Sequence, residues 1–145
     1  SHKKWGIYHP NLVLSPDYSR QKLHALVSSA QESIDFYFPY FSDDIFQELL
    51  FQTAQKWINI RGIVEEDFYN ENPDIIEQFQ KNNIDITSLD TVKLHGKSIL
   101  VDGTYLYLWS INFSKYSFDE NREIWVLLKN KNVISKFQKI FESDL

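Results

Sequence analysis

The sequence of 145 residues contains no cysteine, which excludes disulfides, thiolate catalysis and cysteine-bound zinc. It also contains no methionine, so Ser1-His2 is interpreted as an introduced or processed end, and we expect the natural chain to extend further at its N-terminus. Four glycines and four prolines are scattered along the chain and form no linker or repeat. No apolar run approaches the roughly 20 residues of a membrane-spanning helix.

The charge is acidic overall but uneven. Lys and Arg number 15 against 20 Asp and Glu, which gives a net charge of −5 and disfavours bulk electrostatic binding of nucleic acid. Residues 31–90 contain thirteen acidic and three basic residues, whereas residues 91–145 contain eight basic and six acidic ones. We therefore expect an anionic substrate to meet the C-terminal third.

The apolar periodicity predicts alternating strands and helices. Helices are predicted from Ser15-Pro16 to residue 30, after an N-cap at Ser42, and over residues 73–81 and 133–141. Strands are predicted over residues 11–14, 34–38, 58–64, 84–86, 97–101, 105–109 and 122–128. Asp102-Gly103 predicts a hairpin turn between two of them. This order indicates one α/β domain over residues 1–145, with a mixed β-sheet flanked by helices.

The residues best suited to chemistry begin at His95-Gly96-Lys97. Two residues apart on extended backbone, histidine and lysine project from the same face of a sheet. An imidazole can attack phosphorus, and a lysine can hold the non-bridging phosphate oxygens. The pattern His-x-Lys-x4-Asp alone arises by chance in roughly one chain in a hundred. The alternative interpretation is therefore a half-buried histidine beside a solvated lysine, with no role in chemistry.

A dense group of polar residues follows the predicted hairpin. It consists of Ser110-x-Asn112 and Ser117-x3-Asn121-x-Glu123, placed between two hydrophobic strands. A core does not need so many polar side chains. Amide and hydroxyl groups can bind phosphate, and a carboxylate can orient an imidazole.

These residues together resemble the HKD motif of the phospholipase D superfamily. The similarity covers nearly the whole chain, because the segments Leu14-Ser15-Pro16, Pro39-Tyr40-Phe41-Ser42-Asp43 and Phe141-Glu142-Ser143-Asp144 also resemble the family. The resemblance implies a phospholipase D-like α/β sandwich. It also implies the catalytic half of a phospholipase D-like or cardiolipin-synthase-like phosphodiesterase.

The resemblance assigns a role to each residue of the motif. His95 would be the nucleophile that forms a covalent phosphohistidine, and Glu123 would hold its ring in the reactive orientation. Asp102 completes the motif and is included among the catalytic residues, although the family more often uses it structurally. The phosphate-binding residues would be Lys97, Ser110, Asn112, Ser117 and Asn121. The resemblance implies no metal and no cofactor.

An active site of this family needs two such motifs, with the second histidine acting as general acid. This chain has one, because His9 is followed by proline and His24 has no lysine two residues on. The second motif would come from a homodimer mate or from an N-terminal half of a longer chain, and the missing methionine favours the latter.

Two departures from the family pattern stand out. Trp109 occupies the position of the glycine that usually precedes the serine, so that its indole either narrows the phosphate pocket or packs outward. Lys56-Trp57 replaces a basic residue and glycine before the third strand, a change expected to affect packing. The carboxylates of Glu65-Glu66-Asp67 are interpreted as a solvated loop rather than a metal site.

Three functions remain open at this point. The first is a phosphodiesterase or phosphatidyltransferase acting on phospholipids or other phosphodiesters, which suits the acidic charge. The second is a non-specific endonuclease acting as a homodimer, which suits the chain length and the one motif. The third is a non-catalytic binding half. Membrane-associated or secreted localisation is favoured over cytoplasmic.

Overall fold

The computed structural model describes residues 12–14, 19–40, 43–90, 97–109 and 124–145. The described strands are β1 (Leu12–Leu14), β2 (Ser33–Phe38), β3 (Asn59–Glu65), β4 (Ile84–Leu89), β5 (Lys97–Val101), β6 (Tyr105–Trp109) and β7 (Ile124–Leu128). The described helices are α1 (Ser19–Ser28), α2 (Asp44–Ala54), α3 (Glu66–Glu71), α4 (Pro73–Lys81) and α5 (Lys131–Asp144).

The strands form one sheet in the order β1-β7-β6-β5-β2-β3-β4. Strands β2, β3 and β4 are parallel, and the remaining neighbours are antiparallel. Short helical crossovers connect the parallel strands, as this topology requires. The predicted mixed sheet flanked by helices is therefore confirmed.

The two faces of the sheet bury separate hydrophobic clusters. Helices α1, α2 and α4 pack on one face, where residues such as Leu23, Leu50 and Phe79 meet fully buried strand residues such as Phe36. Helix α5 packs on the other face through Ile134 and Phe141. Strand residues alternate between the two clusters because the side-chain period is two.

Polar contacts fix α5 against the sheet in addition to its apolar side chains. Arg61 on β3 pairs with Asp35 on β2 through two hydrogen bonds of 2.9 and 3.0 Å, and with Glu142 on α5 at 2.8 Å. The Tyr37 hydroxyl donates to Asp144 at 2.7 Å. Burial, together with this hydrogen bond, raises the pKa of the Tyr37 phenol, which therefore stays protonated.

Within the described residues, comparison of the predicted and observed elements shows one wrong cap and one missed helix; the predicted helix start at Ser15-Pro16 lies outside them. The helix over Pro73–Lys81 and the hairpin around Asp102-Gly103 are confirmed. The N-cap of α2 is Asp43 rather than Ser42, because the Asp43 side chain accepts a hydrogen bond from the Phe46 amide at 3.2 Å. Helix α3 was not predicted, because six residues with no buried side chain give no apolar stripe.

The tryptophan two residues before β3 does not pack, although its presence was expected to affect packing. Trp57 is 96% exposed and has a φ of +67°. This left-handed conformation costs a non-glycine residue roughly 1–2 kcal/mol, and it explains why glycine is the usual residue at this position.

We expect Trp57→Gly to raise the free energy of unfolding by about 1 kcal/mol, because strain is relieved and no buried contact is lost. Urea unfolding measures the change. The control is Trp57→Ala, which removes the indole but keeps the strain and should leave stability nearly unchanged. A glycine variant less stable than the parent would show that the indole makes stabilising contacts.

Candidate active site

One edge of the sheet receives the segments that carry the predicted site. Strand β2 ends there at Phe38 and β5 begins there at Lys97. Because β6 is antiparallel to both β5 and β7, β6 ends at this edge and β7 begins at it. Because most of the predicted catalytic residues belong to segments that join the sheet here, we call it the catalytic edge: the C-terminal ends of β2 and β6 and the N-terminal ends of β5 and β7.

The register places the strand ends at this edge side by side. Lys97 pairs with Trp109, and Trp109 pairs with Trp125. Neighbouring strands lie about 4.8 Å apart, so positions 97 and 125 are separated by roughly 10 Å. Residues 91–96 lead into β5, and residues 110–123 join β6 to β7. The points at which the two segments join the catalytic edge therefore lie within roughly 10 Å of one another.

Lys97 is the predicted site residue that the structure describes at this edge. It is the first residue of β5, and only 9% of its surface is exposed. Lysine is rarely buried to this extent unless its ammonium group has polar or charged partners. The backbone at Lys97 is held in place, since β5 is hydrogen-bonded to both β2 and β6.

Apart from Asp102, the other predicted site residues lie outside the described part of the chain. They are His95, Ser110, Asn112, Ser117, Asn121 and Glu123. Their roles stay predictions, supported by the attachment of their segments at the catalytic edge. Position 109, where tryptophan replaces the family glycine, is paired directly with Lys97 in the register.

Asp102 lies at the opposite end of β5 from Lys97. Its carboxylate accepts hydrogen bonds from the main-chain amides of Gln31, Glu32 and Ser33, at 3.1, 2.8 and 3.0 Å. The Asp102 amide in turn donates to the Ser33 carbonyl at 2.8 Å. These contacts join the β5–β6 hairpin turn to the start of β2. The contacts of Asp102 are therefore structural ones. They lie about 17 Å along the strand from Lys97.

We expect Asp102→Ala to lower the free energy of unfolding by about 2–3 kcal/mol, since three amides lose their acceptor and alanine tolerates the φ of +54° poorly. Asp102→Asn keeps one acceptor oxygen and should lose about half as much. The exposed Asp85 on β4 provides the control, because Asp85→Ala should change stability by less than about 0.5 kcal/mol. Denaturant unfolding measures all three. A folded Asp102→Asn protein without activity would return Asp102 to the catalytic group.

The structure also shows a buried polar residue that the sequence analysis did not single out. Gln47 lies one turn into α2, which follows β2 at the catalytic edge. It is 8% exposed, and its amide nitrogen has no hydrogen-bond partner among the described residues. The available signal was a glutamine between Phe46 and Leu49, within the buried face of an amphipathic helix.

The part of the chain that the structure describes contains no group of three or more His, Asp or Glu residues arranged to hold a metal ion. Glu66 and Asp67, interpreted from the sequence as part of a loop, instead form the first turn of α3. Carboxylates are favourable there because of the helix dipole. Among the same described residues, no helix is both long and apolar enough to cross a membrane.

Comparisons with known proteins give a family and a fold. Residues 23–145 match the family model described as "Cardiolipin synthase, PLD-like domain". A search of curated proteins finds no significant match. Among solved structures, Nuc from Salmonella typhimurium, a phospholipase D family member, aligns with a TM-score of 0.82 and 18% identity, covering 92% of this chain and 91% of that one.

Two further solved structures share the fold. NucT from Helicobacter pylori aligns with a TM-score of 0.80 and 22% identity, covering 92% of both chains. Phosphatidylserine synthase from Haemophilus influenzae aligns with a TM-score of 0.72 and 15% identity, covering 94% of this chain and 39% of that one. The sheet and its flanking helices are thus found both in chains of similar length and in longer chains.

Proposed function

Because the chain belongs to the phospholipase D-like family, in the branch of the cardiolipin synthase domain, we propose that it is a metal-independent phosphodiesterase or phosphatidyltransferase. The observation that carries the proposal is the catalytic edge. Buried Lys97 lies there, where the segment that holds His95 joins β5, and it pairs with Trp109, from which the polar residues 110–123 continue. The family match spans all of these positions.

His95 acts as the nucleophile in the proposed reaction. An imidazole nitrogen forms a bond to phosphorus, and the bond from phosphorus to the leaving alcohol breaks. Lys97 and Asn112 hold the non-bridging oxygens, on which negative charge increases, while Ser110, Ser117 and Asn121 complete the phosphate pocket. Glu123 orients the His95 ring. Water or a second alcohol then attacks the phosphohistidine, which gives hydrolysis or transfer.

A second copy of the motif donates a proton to the leaving alcohol in this scheme. We take residues 1–145 as one domain that contributes one half of a paired site. Nuc and NucT are covered over nine-tenths of their own length, which favours pairing between two copies of this chain. The longer phosphatidylserine synthase, covered over 39%, is consistent with two halves in one chain.

A nuclease activity is the second candidate, and the charge of the C-terminal third favours it. Lys93, Lys97 and Lys115 lie within or beside the segments attached to the catalytic edge. A basic groove across a dimer axis could bind a nucleic acid backbone despite the acidic net charge. The preferred substrate class is still a phospholipid, because the chain as a whole repels polyanions.

The test measures hydrolysis of bis(p-nitrophenyl) phosphate in excess EDTA, with the mass in solution determined by light scattering. We expect the protein to be a dimer that hydrolyses this substrate without metal. In a second assay we expect it to cleave phospholipid vesicles faster than single-stranded DNA. Faster cleavage of DNA would establish the nuclease candidate. A folded dimer inactive on all three substrates would contradict the proposal.

A further inference from the structure

A cleft of about 550 Å³ lies between α1 and the sheet, at the hairpin end of β5 and β6. Helix α1 lines it with Lys22, Leu26 and Ser29, which share one face because they are spaced by three or four residues. The strands contribute alternate residues of one sheet face, Tyr105 and Tyr107. The volume lies within the range of small-molecule sites, roughly 300–1,000 Å³.

The cleft has an apolar floor and an aromatic rim. Leu26 is 8% exposed and Tyr107 is 6% exposed, and Leu127 lies beside them. Burial raises the pKa of the Tyr107 phenol, so the floor is uncharged at neutral pH. Tyr105 also lines the cleft and is 39% exposed.

The described lining of the cleft has more basic than acidic side chains, whereas the protein has more acidic ones. Lys22 lines it from α1, and Lys129, which follows β7, places its ammonium 5.6 Å from the centre of the Tyr105 ring. Asp102 is the acidic lining residue, and its oxygens accept three main-chain hydrogen bonds. The described lining therefore contains two lysines and one carboxylate, and that carboxylate accepts hydrogen bonds from amides.

We propose that this cleft binds a nucleotide unit, with the base stacked on Tyr105 and the phosphate held by Lys129. An exposed tyrosine beside lysines is the combination that proteins use for nucleotides in single strands, because every base has a π-face and every unit carries a negative phosphate. The same unit is offered by a free mononucleotide and by a nucleic acid strand. The apolar floor favours such a ligand over inorganic phosphate.

The cleft is separate from the proposed catalytic site. Asp102 lines the cleft and follows the last residue of β5, whereas Lys97 is the first residue of that strand. Lys97 and Asp102 are about 17 Å apart along the chain direction of β5. Binding in the cleft is therefore measured in the His95→Ala protein, where no turnover consumes the ligand and where failure of the proposed function has no effect on the result.

The experiment titrates ¹⁵N-labelled His95→Ala protein with AMP, adenosine, inorganic phosphate and a ten-residue oligodeoxyadenylate, in EDTA. We expect AMP to shift the amide signals of residues 25–29, 105–107 and 127–129, and to bind at least about tenfold more tightly than phosphate or adenosine alone. Tighter binding of the oligonucleotide than of AMP would identify a strand as the source of the unit. Equal or weaker binding would identify a free nucleotide.

Variants separate the two parts of the site. Lys129→Gln should weaken AMP binding about tenfold, and Tyr105→Leu should do so by a similar factor, whereas Tyr105→Phe keeps a stacking ring and should bind as the parent does. Lys131→Gln is the matched control, because Lys131 is an exposed lysine two residues further on, outside the cleft lining. If Tyr105→Leu does not fold, Tyr105→Phe and Lys129→Gln still test the proposal.

Three results would overturn the proposal. The first is that neither AMP nor the oligonucleotide shifts the cleft amides. The second is that inorganic phosphate binds as tightly as AMP, which would mean that the ring is not recognised. The third is that Lys129→Gln and Lys131→Gln weaken binding equally, since the attraction would then be diffuse rather than local.

Discussion

His95→Ala abolishes phosphodiester hydrolysis, with an expected loss on the order of 10⁴-fold or more, because the bond to phosphorus has no nucleophile. The rate on bis(p-nitrophenyl) phosphate in EDTA measures the loss. The matched control is His24→Ala. His24 is exposed on α1, and its ring nitrogen lies 3.4 Å from the Ser28 hydroxyl, so its removal should leave both the rate and the fold unchanged.

Lys97 provides a second measure of the same chemistry. Lys97→Gln removes the positive charge that stabilises the phosphate oxygens and should lower the rate of hydrolysis about 10²–10³-fold. Because Lys97 is buried in β5, its replacement could also unfold the protein, so circular dichroism is used to check that the variant is folded. A His95→Ala protein that keeps more than about a tenth of the parent rate, with His24→Ala equally active, would contradict the assignment of the nucleophile.

Gly62→Ala should destabilise the protein by about 3 kcal/mol, the largest stability effect expected of a one-methyl change. Gly62 pairs with Phe36 on the neighbouring strand, and an added Cβ would overlap the Phe36 ring. That ring is fully buried and stacks on Phe38 with centroids 4.2 Å apart. It therefore has little room to move away.

A double-mutant cycle tests this explanation. Phe36→Leu removes the overlapping ring, so Gly62→Ala in that background should cost at least about 1 kcal/mol less than in the parent. Gly103→Ala provides a milder reference, because there the added Cβ meets only the side-chain nitrogen of Gln138 at 3.3 Å, at a φ of +61°. Additive losses for Gly62→Ala and Phe36→Leu would show that the ring contact is not the cause.

The sequence predicts most of the sheet because its signals are local. Alternation in Ser33–Phe38, proline at the start of α4 and Asp102-Gly103 between two apolar runs each specify an element by themselves. Pairings between distant residues have no such signal. The ion pair of Arg61 with Asp35 and Glu142 depends on strand order and on the packing of α5, neither of which periodicity reveals.

The structure describes two of the predicted site residues, Lys97 and Asp102, and the membership of the site stays a prediction. The spacing of His95 and Lys97 indicated phosphate chemistry, and the structure places buried Lys97 at the catalytic edge. Asp102 belongs to the same motif, yet it binds the amides at the start of β2. Motif spacing does not reveal this. Lys97 and Asp102 are only five residues apart in sequence, but an extended strand places them about 17 Å apart in space.

Covalent trapping tests the central claim most directly. The protein is mixed with excess bis(p-nitrophenyl) phosphate, stopped in alkaline denaturant, digested and analysed by mass spectrometry. The p-nitrophenolate group leaves without being protonated, so the first step requires His95 but no second motif. We predict a nitrophenyl-phosphoryl adduct on the peptide that contains His95, absent from His95→Ala and present in His24→Ala. Hydrolysis without an adduct, or an adduct on another residue that survives in His95→Ala, would contradict the account.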